Sequence, residues 1–329
     1  MSETGTEQVV LVTGAAGFIG SSLTDRLLAE GHRVVGLDNF SDFYDREAKQ
    51  RNLANALGLP GFSLIEADIP DRAAVLEAFT NHRPATVIHL AAMAGVRPSI
   101  ENPALYTAVN LDGTVNLLDG AVATGTRRFL FASSSSVYGN NTKVPFAEDD
   151  RVDHPISPYA ATKKAGELIC HACHHLHGLP VFCLRFFTVY GPRQRPDLAI
   201  SKFLNLVSGD EPIPMFGDGS TSRDYTFIED IVDGVMRAMD QCGQPALPGY
   251  RIYNLGGSEP VSLKQMIDTI GKVVGRPPRI DPRPMQPGDV DRTWADLTRS
   301  RAELGYEPRT SLLEGIRRQW AWMQEGAGY

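Results

Sequence analysis

VVLVTGAAGFIG, residues 9–20, joins a short apolar run to three glycines with the spacing GxxGxxG. Glycines between a strand and a helix permit a tight turn and close approach of the backbone to a pyrophosphate, and the helix N-terminus favours the phosphate charge. The spacing differs from the GxGxxG of the basic fingerprint, and such turns also occur for purely structural reasons. The stretch predicts a dinucleotide bound by Gly14, Gly17, Phe18, Ile19 and Gly20.

The alternation of strand and helix continues through the first half of the chain. Helical patterns separate six apolar runs rich in β-branched residues, which is typical of a parallel, doubly wound sheet. The six predicted strands are Val9–Thr13, Val34–Asp38, Phe62–Glu66, Thr86–Leu90, Arg128–Ser133 and Pro180–Phe186. The sequence therefore predicts an α/β fold with a Rossmann-like, doubly wound parallel sheet.

The pattern changes after about Phe187 to short strands, loops and helices rich in proline and glycine. We expect residues 1–186 to form the dinucleotide-binding Rossmann domain and residues 187–329 to form mainly a smaller, C-terminal substrate-binding lobe. Phe227–Asp240 is predicted as a helix and Tyr250–Leu255 as a strand. The stretch from about 225 to 256 is therefore expected to return to the first domain.

Composition restricts the class of protein. The chain has 329 residues, 42% of them hydrophobic, and no apolar run approaches the roughly 20 residues that a membrane span requires. A net charge of −7 argues against nucleic acid or a membrane surface as a partner. The polar, acidic start and four cysteines without zinc or disulfide spacing indicate a cytoplasmic protein. His171 and His175 lack a second pair of ligands, so no metal is expected.

Asp38 ends the second predicted strand, 18 residues after Gly20. A carboxylate there can accept hydrogen bonds from both hydroxyls of the adenosine ribose and would repel a 2′-phosphate, which favours NAD over NADP. An aspartate that caps a turn is the alternative interpretation. Asp68 and Ile69 follow the third strand, where the adenine would lie.

Two further patterns indicate chemistry on a hydroxyl group. Tyr159 and Lys163 stand at i and i+4, on one face of a predicted helix, so that the ammonium group can favour the phenolate of the tyrosine. Ser133–Ser136 ends the fifth strand, at the sheet edge where ligands bind in such folds. Either pattern alone is common, but the two occur together and in order.

These motifs resemble those of the NAD-dependent epimerase/dehydratase family, the extended short-chain dehydrogenases/reductases, over nearly the whole chain. The resemblance implies NAD as cofactor and a homodimer formed through helices near residues 102–123 and 159–177. It also implies three sets of site residues: Ser134, Tyr159 and Lys163 as the catalytic triad, Asp38, Asn39 and Ser41 at the adenosine, and Leu90, Ala91 and Ala92 beside the nicotinamide.

The resemblance also implies the first chemical step, oxidation of the C4 hydroxyl of a nucleotide sugar. Related 4,6-dehydratases carry an Asp-Glu pair after the catalytic hydroxyl, and the decarboxylases carry a Glu, to move protons at neighbouring carbons. This chain has Ser135 and Ser136 at those positions. The expected outcome is C4 epimerisation, in which the ketone turns over and takes the hydride back on its other face.

Two segments, residues 92–99 and 186–197, are similar to UDP-glucuronate 4-epimerases. An arginine can hold the C5 carboxylate by two parallel hydrogen bonds, and Arg195 is the first candidate, Arg97 the second. A solvated loop arginine is the alternative interpretation of Arg195. UDP-galactose epimerases have Asn where this chain has Thr188. Ser99 and Ser135 are further candidates for contact with the sugar.

By the same resemblance, Phe216 would contact uracil, Arg223 the diphosphate, and Asp289 the ribose or base. Related epimerases often have Arg where this chain has Gln286, so Arg292 is a second candidate for a phosphate contact. UDP-glucose 4-epimerase is the main alternative function. A UDP-glucuronate decarboxylase and a non-catalytic NAD-sensing protein are less favoured, the latter because the whole triad is intact.

Overall fold

The computed structural model describes residues 8–257, 259–284 and 291–327. Its strands are β1 (Val9–Thr13), β2 (Arg33–Asp38), β3 (Phe62–Glu66), β4 (Thr86–His89), β5 (Arg128–Ser134), β6 (Val181–Phe186), β7 (Thr188–Tyr190), β8 (Ile213–Phe216), β9 (Ser222–Phe227), β10 (Tyr250–Leu255), β11 (Pro260–Ser262) and β12 (Ile280–Arg283). The helices are α1 (Phe18–Ala29), α2 (Arg46–Asn52), α3 (Arg72–His82), α4 (Val96–Glu101), α5 (Pro103–Thr107), α6 (Gly113–Thr124), α7 (Pro158–His177), α8 (Ala199–Ser208), α9 (Ile228–Gln241), α10 (Leu263–Val274) and α11 (Leu312–Trp322).

Seven strands form the central sheet, in the order β10-β6-β5-β4-β1-β2-β3. The sheet is doubly wound: β2 and β3 follow on one side of β1, and β4, β5 and β6 follow on the other side. β1 pairs in parallel with both β2 and β4. The predicted Rossmann-like parallel sheet is confirmed, and the six predicted strands differ from the observed ones by at most one residue at an end. β4 ends at His89, so Leu90 belongs to the following loop.

The central sheet is buried because its strands are nearly continuous apolar runs, as expected for a parallel sheet covered by helices. Residues of β1, β4, β5 and β6 pack with side chains of α3, α6 and α7 in one cluster. Glycines allow two of these helices to approach closely: a Cβ added at Gly166 of α7 would lie 2.4 Å from the Phe131 ring, and one at Gly120 of α6 would lie 2.5 Å from Phe79. This packing fixes α7 against β5.

The chain forms two compact units. The first contains the described residues up to Val137, then Ser157–Arg185 and Val235–Tyr253, and the second contains Tyr138–Ile156, Phe186–Gly234 and the described residues from Asn254 onward. The second unit carries a three-stranded sheet, β11-β9-β7, and a two-stranded one, β12-β8. Among the described residues, no helix has both the length and the apolar character that a membrane span requires.

Candidate active site

The glycine turn connects β1 to α1 with the geometry that its sequence predicts. Gly14 has φ +70°, and a Cβ added there would lie 2.8 Å from the Ala91 nitrogen. A Cβ at Gly20 would lie 2.0 Å from the Gly14 carbonyl oxygen, so the helix can pack on the turn only with glycine there. At Gly17, the residue before α1, an added Cβ would meet only the Gly14 oxygen, at 3.1 Å. The turn would have to shift by a few tenths of an ångström to accept a Cβ at position 17, which is a much smaller change than at Gly20.

The start of α1 is suited to an anion. Phe18 and Ile19 are its first two residues, no side chain caps its N-terminus, and its first turn carries no acidic residue. The N–H groups of that turn and the helix dipole are therefore directed at the space before the helix. This is the arrangement that a pyrophosphate requires.

Asp38 ends β2 beside the turn and is almost completely buried. Its carboxylate accepts the backbone N–H groups of Ala16 (3.0 Å) and Phe40 (2.8 Å). Burial raises the pKa of Asp38, while these two hydrogen bonds and the charge of Lys49 lower it. The carboxylate therefore fixes the shape of the turn, and each of its oxygens has a second lone pair for another donor.

The loop after β2 is braced by a buried lysine. Asn39 accepts the N–H of Ser41 through its side chain. The Lys49 ammonium donates to the carbonyl oxygen of Ser41 at 2.6 Å and to its hydroxyl at 3.1 Å. The predicted adenosine contacts Asp38, Asn39 and Ser41 thus lie on one ordered loop. Across the sheet, Asp68 is exposed and Ile69 is buried just after β3.

The loop Leu90–Ala92 is held to the glycine turn by a chain of hydrogen bonds that sequence reasoning missed. The Ala91 N–H donates to the Thr13 hydroxyl, which contacts His89 Nδ1 at 2.8 Å. His89 Nε2 lies 3.0 Å from the Thr114 hydroxyl, which donates to the Asn110 carbonyl oxygen. Since Thr114 gives its proton to that carbonyl, it accepts from Nε2–H, and Nδ1 accepts from Thr13. Burial lowers the pKa of His89 to about 3, so the ring is neutral and the chain keeps this direction.

A π turn, Ala108–Asp112, interrupts the helix between α5 and α6 and carries Asn110 into the same region. The Asn110 side chain accepts the Met93 N–H (2.8 Å) and donates to the Met93 carbonyl and to the Thr162 hydroxyl (both 3.0 Å). Thr162 in turn donates to the Tyr159 carbonyl oxygen. Asn110 therefore connects the loop beside the glycine turn to the start of α7. A residue in a π turn near a binding site is a recurrent feature of functional sites, but no local sequence pattern marks it.

Ser134 and Lys163 lie at the carboxyl end of β5. Ser134 is the last residue of the strand, and its hydroxyl both donates to the Ser136 hydroxyl and accepts the Ser136 N–H, each at 3.1 Å. The Lys163 ammonium donates to the Ala132 carbonyl oxygen at 2.7 Å and lies 5.1 Å from the centre of the Phe131 ring. Burial lowers the pKa of Lys163 to about 8.

Tyr159 is the second residue of α7, whose start is fixed by Ser157 as N-cap and Pro158 at the first helical position. Its ring is half-buried and meets the Tyr106 ring edge to face, with centroids 6.3 Å apart. Since Tyr159 and Lys163 are one helical turn apart, both side chains lie on the same face of α7. The predicted triad is thus carried by two elements, α7 and β5, that pack directly on each other.

A buried ion pair underlies this region. Glu167, one turn after Lys163, accepts the Arg185 Nε–H (2.7 Å) and Nη2–H (2.9 Å) and the Ser133 hydroxyl (2.7 Å). Both charged side chains are essentially inaccessible to solvent. Burial raises the pKa of Glu167, but the hydrogen bonds and charge of Arg185 outweigh this effect and hold the pKa below its usual value. The pair joins α7 to β6 and to the residue before Ser134.

The predicted sugar contacts of the second unit lie on β7 and the loop that follows it. Thr188 is the first residue of β7, where it pairs with Tyr225 of β9. Arg195 makes a bidentate ion pair with Asp197, Nε to Oδ1 at 3.0 Å and Nη2 to Oδ2 at 2.8 Å. Arg195 is mostly buried, with 16% of its side chain exposed, so it is not the solvated loop arginine of the alternative interpretation.

The remaining predicted residues lie on separate elements of the two units. Phe216 ends β8, and Arg223 lies in β9, where its Nη1 donates to the Ser222 carbonyl. In the first unit, Ser135 begins the short helical turn after β5, Arg97 is exposed on α4, and Ser99 is fully buried, with its hydroxyl donating to the Val96 carbonyl of the same helix. Asp289 and Gln286 lie outside the described residues.

The chain is similar to known proteins over nearly its full length. The family model described as GDP-mannose 4,6 dehydratase matches residues 11–319. A probable UDP-glucuronate 4-epimerase of Rhizobium meliloti is 42% identical, with 96% of each chain covered. The UDP-glucuronic acid 4-epimerase of Bacillus cereus, solved with UDP-glucuronic acid and NAD, has a TM-score of 0.90 and 34% identity and covers 96% of this chain and 99% of its own.

A UDP-glucose 4-epimerase of Thermotoga maritima, solved with UDP-glucose, is also similar, with a TM-score of 0.88 and 32% identity over 97% of this chain and 99% of its own. These relatives match over nearly the full chain, and the family model spans the residues from β1 to α11. The chain therefore belongs to the NAD-dependent epimerase/dehydratase family of extended short-chain dehydrogenases/reductases, as its motifs predicted.

Proposed function

We propose that the protein is an NAD-dependent UDP-sugar 4-epimerase that interconverts UDP-glucuronate and UDP-galacturonate. The observation that carries this proposal is the composition of the site at the end of β5. A tyrosine and a buried lysine stand there with a chain of serine hydroxyls, where related dehydratases and decarboxylases place carboxylic acids. The relatives named as UDP-glucuronate 4-epimerases, at 40–42% identity over nearly the whole chain, support the same assignment.

The first unit has the features that NAD requires. The pyrophosphate would be held by Gly14, Gly17, Gly20 and the start of α1. The adenosine ribose would be bound by Asp38, Asn39 and Ser41, and the adenine by Asp68 and Ile69. The nicotinamide would lie beside Leu90, Ala91 and Ala92. NAD held by these residues would supply a reversible acceptor for the C4 hydride of the sugar. The carboxylate of Asp38 excludes a 2′-phosphate by charge, which favours NAD over NADP.

The triad residues remove the proton of the C4 hydroxyl and return it. Tyr159, as phenolate, removes that proton during oxidation and returns it during reduction, and the Ser134 hydroxyl donates to the sugar oxygen. The Lys163 ammonium favours the phenolate form of Tyr159 because it places a positive charge on the same helical face. Since burial lowers the pKa of Lys163 to about 8, this help is expected to weaken as the pH rises above 8.

The fate of the 4-keto sugar follows from what the site contains. Ser135 and Ser136 are weak acids and bases, so they do not drive elimination at the neighbouring carbons. A 4-keto uronic acid loses carbon dioxide easily, and an epimerase must keep its carboxylate out of the alignment for carbon–carbon cleavage. We assign this task to the Arg195 guanidinium, with Arg97 as second candidate, because arginine binds carboxylates bidentately.

The other substrate contacts remain part of the proposal. Thr188, Ser135 and Ser99 are assigned to the sugar, Phe216 to uracil, Arg223 to the diphosphate, and Asp289 to the ribose or base. In this assignment the NAD-binding Rossmann domain comprises residues 1–186, with the return of about 225–256, and also contributes Ser99 and Ser135 to the sugar site, while residues 187–329 form mainly the nucleotide-sugar-binding lobe.

We also infer a cytoplasmic homodimer formed through α5, α6 and α7. Leu105, Val115 and Leu168 on these helices are large apolar side chains with 40%, 39% and 59% of their surface exposed. Such residues on neighbouring helices favour a protein partner. The four free thiols suit a reducing compartment. Light scattering measures the mass in solution, and a monomeric mass would contradict the dimer.

The variant Arg195→Ala tests the choice of sugar. We expect turnover of UDP-glucuronate (kcat/KM) to fall by about 10- to 100-fold, since a hydrogen-bonded contact between charged groups contributes about 1.5–3 kcal/mol. Turnover of UDP-glucose, if present, should change little. Arg151→Ala is the matched control, because Arg151 makes an i,i+2 pair with Asp153 at an exposed site. Equal losses for both sugars would contradict the assignment of Arg195 to the carboxylate.

A further inference from the structure

The loop that carries Arg195 holds this side chain in a fixed orientation. Asp197 lies two residues later and binds the Nε edge of the guanidinium with both carboxylate oxygens. This pairing engages the Nε–H and one Nη2–H and fixes the plane of the guanidinium. Asp197 itself is half exposed, with 53% of its side chain accessible, while the arginine is mostly buried.

The pair is charged at neutral pH. Burial raises the pKa of Asp197, but the hydrogen bond and charge of Arg195 outweigh this and lower it. An ionised partner at this position has two opposite effects on a second carboxylate. The ionised Asp197 orients the guanidinium, and it also reduces the net positive charge that attracts the second carboxylate.

The backbone of this loop is anchored separately, by Gln194. Its buried side chain accepts from the Ser201 hydroxyl (3.0 Å) and from Gln319 Nε2 (2.9 Å), and it donates to the Val189 carbonyl (3.0 Å). These contacts tie the residue before Arg195 to β7, α8 and α11. Because the main chain is already fixed, the Asp197 pair acts on the direction of the guanidinium, not on the path of the loop.

We propose that Asp197 is a positioning residue that determines specificity for a uronic acid, by holding the Arg195 guanidinium at the angle that accepts the C5 carboxylate of the sugar. The inference rests on the proposed function, since it assigns Arg195 to that carboxylate. Orientation outweighs the loss of net charge, because bidentate recognition depends on the plane of the fork and a misdirected group loses both bonds.

The test compares Asp197→Asn with the wild-type protein. The substitution keeps the shape of a half-exposed side chain, so folding is not at risk, but it replaces one acceptor by an amide and removes the charge. We expect KM for UDP-glucuronate to rise about tenfold, which corresponds to about 1.4 kcal/mol and is less than the roughly 100-fold loss that a misplacement by 1 Å can cause. The inhibition constant of UDP-glucose, which lacks the carboxylate, should not change. Carbon dioxide released per turnover should rise, because the carboxylate is held less firmly.

Two further variants separate positioning from a merely structural role. Asp197→Glu keeps the charge and is expected to restore most of the KM. Asp153→Asn is the matched control, since Arg151 and Asp153 form the same i,i+2 pair at an exposed site, and it should behave as wild type.

The outcomes distinguish the two proposals. If wild-type protein epimerises UDP-glucose but not UDP-glucuronate, the proposed function fails and the inference fails with it. If wild-type protein epimerises UDP-glucuronate and Asp197→Asn leaves its KM unchanged, the inference alone is overturned. A lower KM in Asp197→Asn would also overturn it, because Asp197 would then compete with the substrate for Arg195.

Discussion

The variant Arg185→Met tests the buried ion pair beneath the triad. It leaves the Glu167 carboxylate, which is inaccessible to solvent, without its bidentate partner. Removal of one member of a buried pair costs about 3–5 kcal/mol of folding free energy. Lys164 at 3.2 Å and the Ser133 hydroxyl still contact Glu167, so the expected loss is at the lower end, about 3 kcal/mol. For a unit of this size that corresponds to a melting temperature lower by about 6–12 °C.

The pH dependence of this loss has a definite sign. In the wild-type protein the pKa of Glu167 lies below its usual 4.5, so the stability it contributes is present above that value and is lost as the pH falls through the lowered pKa. In Arg185→Met, the arginine no longer lowers the pKa of Glu167. Because burial still raises this pKa, it should lie above 4.5. The variant then gains stability as the carboxyl takes up a proton. The difference in melting temperature between the two proteins should therefore shrink from pH 7.5 to pH 5.5.

Thermal unfolding followed by circular dichroism measures these differences. The double variant Glu167→Gln with Arg185→Met carries no buried charge at the pair and should be more stable than Arg185→Met alone. A loss below about 1 kcal/mol in Arg185→Met, or a double variant that is less stable than it, would refute the reasoning, since an exposed pair is worth no more than that.

Three other substitutions give separate predictions. Gly17→Ala should lower the melting temperature less than Gly20→Ala, because its Cβ would lie 3.1 Å and not 2.0 Å from the Gly14 oxygen, yet it should bind NAD about tenfold more weakly by calorimetry, a loss of about 1.4 kcal/mol. Gly20→Ala should melt at a clearly lower temperature than the wild-type protein, since its Cβ would lie 2.0 Å from the Gly14 oxygen. Gly209→Ala, whose Cβ would have its nearest atom at 3.4 Å, should melt at the wild-type temperature. Lys163→Met should lose epimerisation but melt at a higher temperature below pH 8, because it removes a buried charge. That gain should shrink from pH 8 to pH 10.5, where the wild-type lysine loses its proton in the folded state first.

Much of the fold could be predicted from the sequence because its signals are local. Strands such as Val9–Thr13 are short apolar runs, and the glycine turn needs particular residues at particular positions, so pattern and structure coincide. The family assignment rested on similarly local motifs around Tyr159 and Ser134. For these elements the residue type and its neighbours in the chain are sufficient.

The contacts that were not predicted join residues far apart in the chain. Charged side chains are seldom fully buried, so nothing in the sequence indicates that Glu167 and Arg185 form a pair in the interior. Asn110 is brought into place by a π turn, which has no sequence pattern of its own. The contact between Arg195 and Asp197 is the exception, since the two residues are close in the sequence, but only the conformation of the loop shows that their side chains meet.

The central claim of the proposed mechanism is that the hydride removed from C4 of the sugar is returned to the same carbon. Isotopic labelling of C4 tests this claim directly. The protein is incubated with NAD and UDP-glucuronate that carries deuterium at C4, and the nucleotide sugars are separated and examined by NMR. We predict UDP-galacturonate with the deuterium retained at C4 and little carbon dioxide released. Loss of the label to solvent, or carbon dioxide as the main product, would contradict the mechanism, and absence of UDP-galacturonate would contradict the proposed function.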